Sequence, residues 1–231
     1  YAKALLALPK LDAELFTIHP YSEWPESNVY KIKATVATPQ FYHKLDHPIA
    51  DLKRMTDSLG LKLWQGECGY PSRANSHGWQ GLGPWSEQVQ AKWLLRRFVT
   101  DMEWGAQGFF YFALQDFTMG QKHNTKGLLR NDASEKPAFS VFKNLIGCFP
   151  NGISLCPRVL PVQIEIVKEG DFPGFTAQDV HTICFKDSNN EYVTAIYFNA
   201  RMQHQVNPAT INMHFSTLDE VPTAFFDFVT G

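Results

Sequence analysis

One carboxylate in this sequence has surroundings typical of a catalytic group. Glu67 lies in the segment Trp64–Tyr70 (WQGECGY), between Gly66 and Gly69 and directly after a short apolar stretch. Such a stretch is typical of a buried strand, and enzymes built on parallel barrels place their active sites at the carboxyl ends of the strands. Glu67 is therefore a candidate catalytic carboxylate. The alternative is a structural carboxylate that forms a salt bridge at the mouth of a barrel.

Two other predicted strand ends carry polar side chains. His19 and Tyr21 follow one apolar segment, and Gln115 and Asp116 follow another. His19 suits a site or a packed core equally well, and Asp116 suits a loop anchor better than a catalyst. We interpret two further acidic residues, Glu87 and Glu103, as solvated groups on a helix.

Aromatic residues are abundant, with Phe 18, Tyr 8 and Trp 6 in 231 residues. Most suit a thick core, but rings near Glu67 could stack on the apolar faces of sugars. The tryptophans on or beside the loops that follow the predicted strands are Trp24, Trp64, Trp79 and Trp85.

The elements that would position Glu67 follow a strand–helix order. Three apolar segments begin at residues 15, 61 and 108, roughly 46 residues apart. Between and after them we predict helices that end at Gly60, run from a Ser86 cap to Gly105, and start at Pro137. The inward face of the last helix is predicted to contain Phe139, Phe142 and Ile146. This order predicts a parallel α/β architecture over residues 1–149.

The pattern changes at Pro150–Gly152. Beyond it, apolar residues alternate with period two around Val162–Ile166, 181–186, 191–199, 211–215 and 224–229. We predict an antiparallel β-sandwich domain over residues 150–231, clipped at its C-terminus. A hairpin is expected around Asp187–Asn190.

Composition excludes some functions and leaves others open. The net charge of -2 argues against a nucleic-acid-binding protein with a basic surface, and no apolar run is long enough for a membrane span. The four cysteines, Cys68, Cys148, Cys156 and Cys184, contain no CxxC pair, so a zinc site is not expected. Cys148 and Cys156 flank a turn and suit either a disulfide or free thiols.

These motifs resemble the C-terminal half of a clan A glycoside hydrolase, a retaining TIM-barrel glycosidase. The resemblance places His19-Pro20-Tyr21 on the sixth barrel strand, Glu67 in a W-x-G-E-x-G pattern on the seventh, and Phe112–Asp116 on the eighth. The segments Lys126–Arg130 and Lys136–Phe139 resemble the stretch that follows the eighth strand. The trailing β domain is similar to that of the xylosidase/iduronidase-like branch.

The resemblance implies the C-terminal part of a (β/α)8 barrel and a glycosidase that hydrolyses its substrate with retention of configuration. Glu67 would be the nucleophile, Tyr21 would hydrogen-bond to it, and His19 would shape the same subsite. The substrate would be an oligo- or polysaccharide bound also by Trp64, Trp79, Trp85, Phe112 and Gln115. Phe112 stands where the family often has a tryptophan. No metal ion or organic cofactor is implied.

One departure concerns the acid/base carboxylate, which in this clan follows an asparagine at the end of the fourth strand. The single Asn-Glu pair here, Asn190-Glu191, lies in the predicted hairpin instead. Because Tyr1 lies in what looks like the middle of an apolar helix, we expect an N-terminal half-barrel segment or chain to supply the missing group. The alternative is a non-catalytic carbohydrate-binding protein on a degenerate barrel. Either protein would be secreted, periplasmic or lumenal.

Overall fold

A computed structural model of the chain describes residues 12–21, 49–74, 76, 85–156, 162–171, 174–198, 207–216 and 224. These residues have a mixed α/β architecture. The helices are α1 (Ile49–Ser58), α2 (Glu87–Glu103) and α3 (Pro137–Cys148). The strands are β1 (Leu15–Ile18), β2 (Lys62–Cys68), β3 (Phe109–Tyr111), β4 (Phe117–Met119), β5 (Lys122–Asn124), β6 (Ile153–Leu155), β7 (Val162–Lys168), β8 (Val180–Asp187), β9 (Tyr192–Phe198) and β10 (Thr210–Phe215).

The three predicted N-terminal strands form one parallel sheet in the order β1-β2-β3. Ile18 pairs with Gln65, and Cys68 pairs with Tyr111, with a register irregularity between Gln65 and Cys68. Since parallel strands end at the same edge of a sheet, the residues that follow β1, β2 and β3 meet there. The predicted strand–helix order is confirmed for this part. That this sheet belongs to the C-terminal part of a (β/α)8 barrel stays a prediction.

Helix α2 covers one face of this sheet. It begins after Ser86, whose hydroxyl accepts a hydrogen bond from Val89 N at 3.1 Å, and it ends before Gly105, which has a φ of 86°. A positive φ is favourable for glycine, so the predicted cap and stop are both confirmed. The helix buries side chains around most of its circumference, including Trp93 and Leu94, which are fully buried.

Helix α3 packs on α2 through a face different from the one predicted. Ile146 was expected to point inward, but it is 57% exposed. The residues that α3 buries are Ala138, Val141 and Leu145, and Phe139 and Phe142 pack beside them only partly buried. The buried face is therefore centred one position earlier in the sequence than the large side chains suggested.

The antiparallel strands form three small sheets, ordered β6-β8-β9, β10-β7 and β4-β5. The predicted hairpin around Asp187–Asn190 is confirmed: Asp187 Oδ1 accepts hydrogen bonds from Asn189 N at 2.9 Å and Glu191 N at 2.8 Å. The strand predicted at 224–229 lies outside the described residues, apart from residue 224. The sandwich and the boundary at residue 149 stay predictions.

Strand β8 contributes to the same buried cluster as the parallel sheet. Ile183 and Phe185 are buried together with Leu63 of β2 and Val99 and Met102 of α2. Helix α2 thus shares one buried cluster with the parallel sheet and with the β6-β8-β9 sheet. These contacts shield much of the surface of α2 from solvent.

Candidate active site

Glu67 occupies the edge of the sheet at which β1, β2 and β3 end. Its side chain is 35% exposed, so it has access to solvent without being a surface group. Two nearby glycines let neighbouring strands approach it. A Cβ at Gly66 would lie 3.1 Å from Thr17 Cβ, and a Cβ at Gly69 would lie 2.0 Å from the Phe112 carbonyl oxygen. A side chain at position 69 would therefore force β2 and the end of β3 apart.

Tyr21 is in direct contact with this carboxylate. Its hydroxyl donates a hydrogen bond to Glu67 Oε1 at 2.6 Å, which is the contact expected from the resemblance. Burial and the adjacent Glu67 carboxylate both raise the pKa of Tyr21 above its ordinary value. The hydroxyl consequently keeps its proton at any working pH and remains a donor to the carboxylate.

His19 approaches the other carboxylate oxygen. Its Nδ1 lies 3.7 Å from Glu67 Oε2, and its ring packs against the backbone at Gly66. The side chain is 53% exposed, so the imidazole lies at the rim of the site and not in a packed core. Tyr21 and His19 thus contact different oxygens of Glu67, and both come from the segment that follows β1.

Lys126 is a site residue that sequence reasoning missed. It is only 4% exposed, and its Nζ lies 5.9 Å from the centroid of the Tyr21 ring. Burial lowers the pKa of Lys126, whereas the negative charge of Glu67 acts in the opposite direction. The site therefore contains a cation within electrostatic reach of the carboxylate. The feature of the sequence that could have identified Lys126 is its position at the start of the segment Lys126–Arg130.

The residues on both sides of Lys126 are held by a buried ion pair. Lys136 Nζ donates to Asp116 Oδ1 at 2.7 Å and to the Thr125 carbonyl at 3.2 Å. The same Asp116 oxygen accepts a hydrogen bond from Gly127 N at 2.8 Å. Asp116 is thus a loop anchor, as the sequence led us to expect, and it fixes the backbone that carries Lys126.

Gln90 of α2 adds a second support to this loop. It is fully buried, and its Nε2 donates to the carbonyls of Tyr70 at 2.9 Å and Gly127 at 3.1 Å. It also lies 3.1 Å from the Tyr111 hydroxyl. One amide on α2 therefore joins the ends of β2 and β3 to the Lys126 loop.

Two of the predicted sugar-binding rings lie on or just beyond the parallel sheet. Trp64 stacks on Phe110 with ring centroids 5.4 Å apart, and it covers Gly108. Phe112 follows β3 and meets Phe117 edge-on at 5.8 Å. A cis peptide bond joins Phe112 to Ala113. The roles of Trp64 and Phe112 in substrate binding stay predictions.

The other predicted binding residues have structural contacts of their own. Trp85 packs on Tyr70, with ring centroids 5.4 Å apart, at the border of the core. The Gln115 amide donates to the Asn131 carbonyl at 2.9 Å. Trp79 lies outside the described residues. Whether any of the three binds substrate stays a prediction.

The interpretation of Glu87 and Glu103 as solvated helix residues was wrong. Arg130 Nε lies 2.8 Å from Glu87 Oε1, and Arg130 Nη2 lies 2.6 Å from Glu87 Oε2, so the pair is bidentate. Glu103 lies 3.5 Å from His181 Nε2 and is largely buried. Both carboxylates join α2 to another part of the chain, which helical spacing alone does not reveal.

Tyr21 and His19 contact Glu67, and Lys126 lies within electrostatic reach of it; none of these three is a second carboxylate. Within the same residues, no group of three or more His, Cys, Asp or Glu side chains is arranged to hold a metal ion. None of the described helices is long and apolar enough to cross a membrane. The observed constellation is one carboxylate with one hydroxyl donor, one imidazole and one cation.

No protein-family model and no curated protein matches this chain. Solved structures that resemble it in part include β-glucuronidases. The one from Bifidobacterium dentium with coumarin-3-O-glucuronide gives a TM-score of 0.42 at 20% identity and covers 60% of this chain and 21% of that chain. The enzyme from Ruminococcus gnavus with uronic deoxynojirimycin gives a TM-score of 0.39 at 21% identity and covers 57% of this chain and 22% of that chain. The enzyme from Faecalibacterium prausnitzii gives a TM-score of 0.40 at 18% identity and covers 60% of this chain and 22% of that chain. The chain spans about a fifth of the length of these proteins.

Proposed function

We propose that this chain carries the nucleophile of a retaining glycoside hydrolase and that Glu67 is that nucleophile. The observation that carries the proposal is the 2.6 Å hydrogen bond from the Tyr21 hydroxyl to Glu67 Oε1 at the carboxyl edge of a parallel sheet. A donor at this distance fixes the orientation of the carboxylate, which a nucleophile requires.

In the proposed reaction, a Glu67 oxygen attacks the anomeric carbon of the sugar while the bond from that carbon to the leaving oxygen breaks. A second carboxylic acid protonates the leaving group. The product is a glycosyl ester on Glu67. Water, deprotonated by the same second carboxylate, then attacks the anomeric carbon and releases Glu67, so the sugar keeps its original configuration.

The proposal requires that second carboxylate about 5–5.5 Å from Glu67. Tyr21, His19 and Lys126 do not supply it. We propose that an N-terminal segment of the full-length protein, or a partner chain, supplies it. The tests of this proposal therefore use the full-length protein.

Lys126 suggests a class of substrate. Lys126 is 4% exposed and within electrostatic reach of Glu67, so it places a positive charge beside the candidate nucleophile. A carboxylate on a bound sugar would be attracted to that charge. We therefore propose sugars that carry a carboxylate, such as uronides, as the preferred substrates. Binding of a saccharide without turnover is the competing function.

Covalent trapping tests the nucleophile. An activated 2-deoxy-2-fluoro glycoside is expected to inactivate the full-length protein, and peptide mass spectrometry is expected to locate the sugar on Glu67. Glu67→Gln should lower kcat at least about a thousandfold with the fold unchanged. The matched control is Glu14→Gln, because Glu14 is an exposed glutamate just before β1.

A label on another carboxylate, or full turnover by the Glu67→Gln variant, would overturn the assignment. If the protein binds saccharides but neither turns over nor becomes labelled by any uronide or neutral glycoside, the result would favour the non-catalytic carbohydrate-binding function. Proton NMR of the first product anomer then separates retention from inversion in an active protein.

A further inference from the structure

Helix α2 carries a fully buried arginine that reaches the turn between His19 and Tyr21. Arg97 Nη1 donates a hydrogen bond to the Pro20 carbonyl oxygen at 2.8 Å. The turn itself is closed by the Tyr21 N–H, which donates to the His19 carbonyl at 2.9 Å. The turn that presents Tyr21 to Glu67 is therefore fixed by its own backbone and by a side chain from the helix behind the sheet.

Arg97 is itself fixed in place. Its Nε donates to Asp101 Oδ2 at 2.8 Å, and Asp101 Oδ1 accepts a hydrogen bond from Trp104 Nε1 at 2.9 Å. Arg97 and Asp101 are both fully buried. The bonds of Arg97 to Asp101 and to Pro20 come from different edges of its planar guanidinium. Because the group is rigid, the contact between Nε and the carboxylate also fixes the direction in which Nη1 points.

Packing alone does not explain this pair. Two charges that lose all their hydration gain little net stability, and apolar side chains of similar volume often serve equally well or better. The position offers what an apolar residue lacks, which is a donor directed at one backbone carbonyl. That carbonyl belongs to the residue directly before Tyr21.

We propose that Arg97 is a positioning residue that acts on the reaction through Tyr21. The proposal rests on the proposed function of Glu67. Arg97 holds the Pro20 carbonyl, the turn holds Tyr21, and the Tyr21 hydroxyl holds Glu67 Oε1 in the orientation for attack. A displacement of about 1 Å at a reacting group costs about a hundredfold in rate, so a loosened turn should be visible in kcat.

A double-mutant cycle in the full-length protein tests the connection. Arg97→Lys keeps the charge but not the fork of donors, and it should lower kcat about 10- to 100-fold while KM changes less than about twofold. In a Tyr21→Phe background, the same Arg97→Lys change should cost less than about twofold, because the contact it supports is already absent. Equal effects in both backgrounds would overturn the proposal.

A second measurement does not depend on turnover. With 3-fluorotyrosine at position 21, the fluorine NMR resonance should move when Glu67→Gln is introduced, and it should move or broaden with Arg97→Lys. The control is Arg54→Lys, because Arg54 lies exposed on α1. A resonance that responds to Glu67→Gln but not to Arg97→Lys contradicts the positioning role. If Glu67 is not a nucleophile but Arg97 does position Tyr21, the fluorine resonance should still respond to Arg97→Lys.

The variant Arg97→Met/Asp101→Asn tests whether the loss of kcat in Arg97→Lys is due only to misfolding. It leaves no uncompensated buried charge, and the asparagine oxygen still accepts from Trp104 Nε1. We expect it to melt within a few degrees of the wild type and to show the same loss of kcat as Arg97→Lys. Wild-type kcat in this folded double variant would also refute the proposal.

Discussion

Tyr21 and Glu67 are 46 residues apart in the sequence, yet the hydroxyl of one lies 2.6 Å from a carboxylate oxygen of the other. The contact exists because β1 and β2 pair in parallel, with Ile18 opposite Gln65, so that both strands end at one edge. The distance is short for a hydrogen bond between oxygen atoms, as is usual when the acceptor is charged. The strand register therefore creates the site.

Removal of the Tyr21 hydroxyl should slow the chemical step more than it weakens binding. A hydrogen bond to a charged group contributes about 1.5–3 kcal/mol, so Tyr21→Phe should lower kcat about 10- to 100-fold. Steady-state kinetics of the full-length protein with an aryl glycoside measures this loss. Tyr192→Phe is the control, because Tyr192 is 54% exposed on β9. Equal, small effects of the two changes would argue against a role for the hydroxyl.

The sequence was sufficient to predict the strands and the strand-end residues of this site. Short apolar segments that end in Gly66–Gly69 or in His19-Pro20 indicate parallel strands, and a parallel sheet collects its strand ends at one edge. The Ser86 cap and the Gly105 stop likewise depend on local chemistry that single residues reveal. Local rules of this kind need no knowledge of the distant partner.

The residues that sequence reasoning missed depend on contacts between distant elements. Lys126 is buried beside Tyr21, and Arg97 reaches Pro20 from a helix 77 residues away in the chain. Glu87 was interpreted as a solvated residue but forms a bidentate pair with Arg130. A charged residue in a sequence is by default expected at the surface, and only the tertiary packing identifies the exceptions.

The charge of Lys126 should control preference among substrates. Lys126→Met should lower kcat/KM for an aryl uronide about 10- to 100-fold and leave an aryl glycoside without a carboxylate nearly unchanged, because only the first loses a charged partner. Lys122→Met is the matched control, since Lys122 is exposed on the nearby strand β5. If both substrates lose equally, Lys126 acts on Glu67 and not on the substrate.

The ion pair between Lys136 and Asp116 should be a major determinant of stability. Lys136 is 1% exposed, and Lys136→Met would leave Asp116 as a buried charge without its 2.7 Å partner. The expected loss is about 3–5 kcal/mol in the free energy of unfolding, measured by urea titration. The double variant Lys136→Met/Asp116→Asn should recover part of that loss. An unchanged unfolding midpoint in the single variant would show that the pair is not coupled to folding.

The cysteine beside Glu67 should resist thiol reagents in the folded protein. None of the four cysteines forms a disulfide; Cys68 and Cys184 are buried and Cys148 is exposed. Burial raises the pKa of the Cys68 thiol, and because the thiolate is the reactive form, a raised pKa means less reactive sulfur at a given pH. With Ellman's reagent at pH 8 we expect Cys148 to react first and Cys68 only after denaturation. Cys148→Ser should remove the fast phase, and a fast reaction of Cys68 in the native state would show that the end of β2 opens readily to solvent.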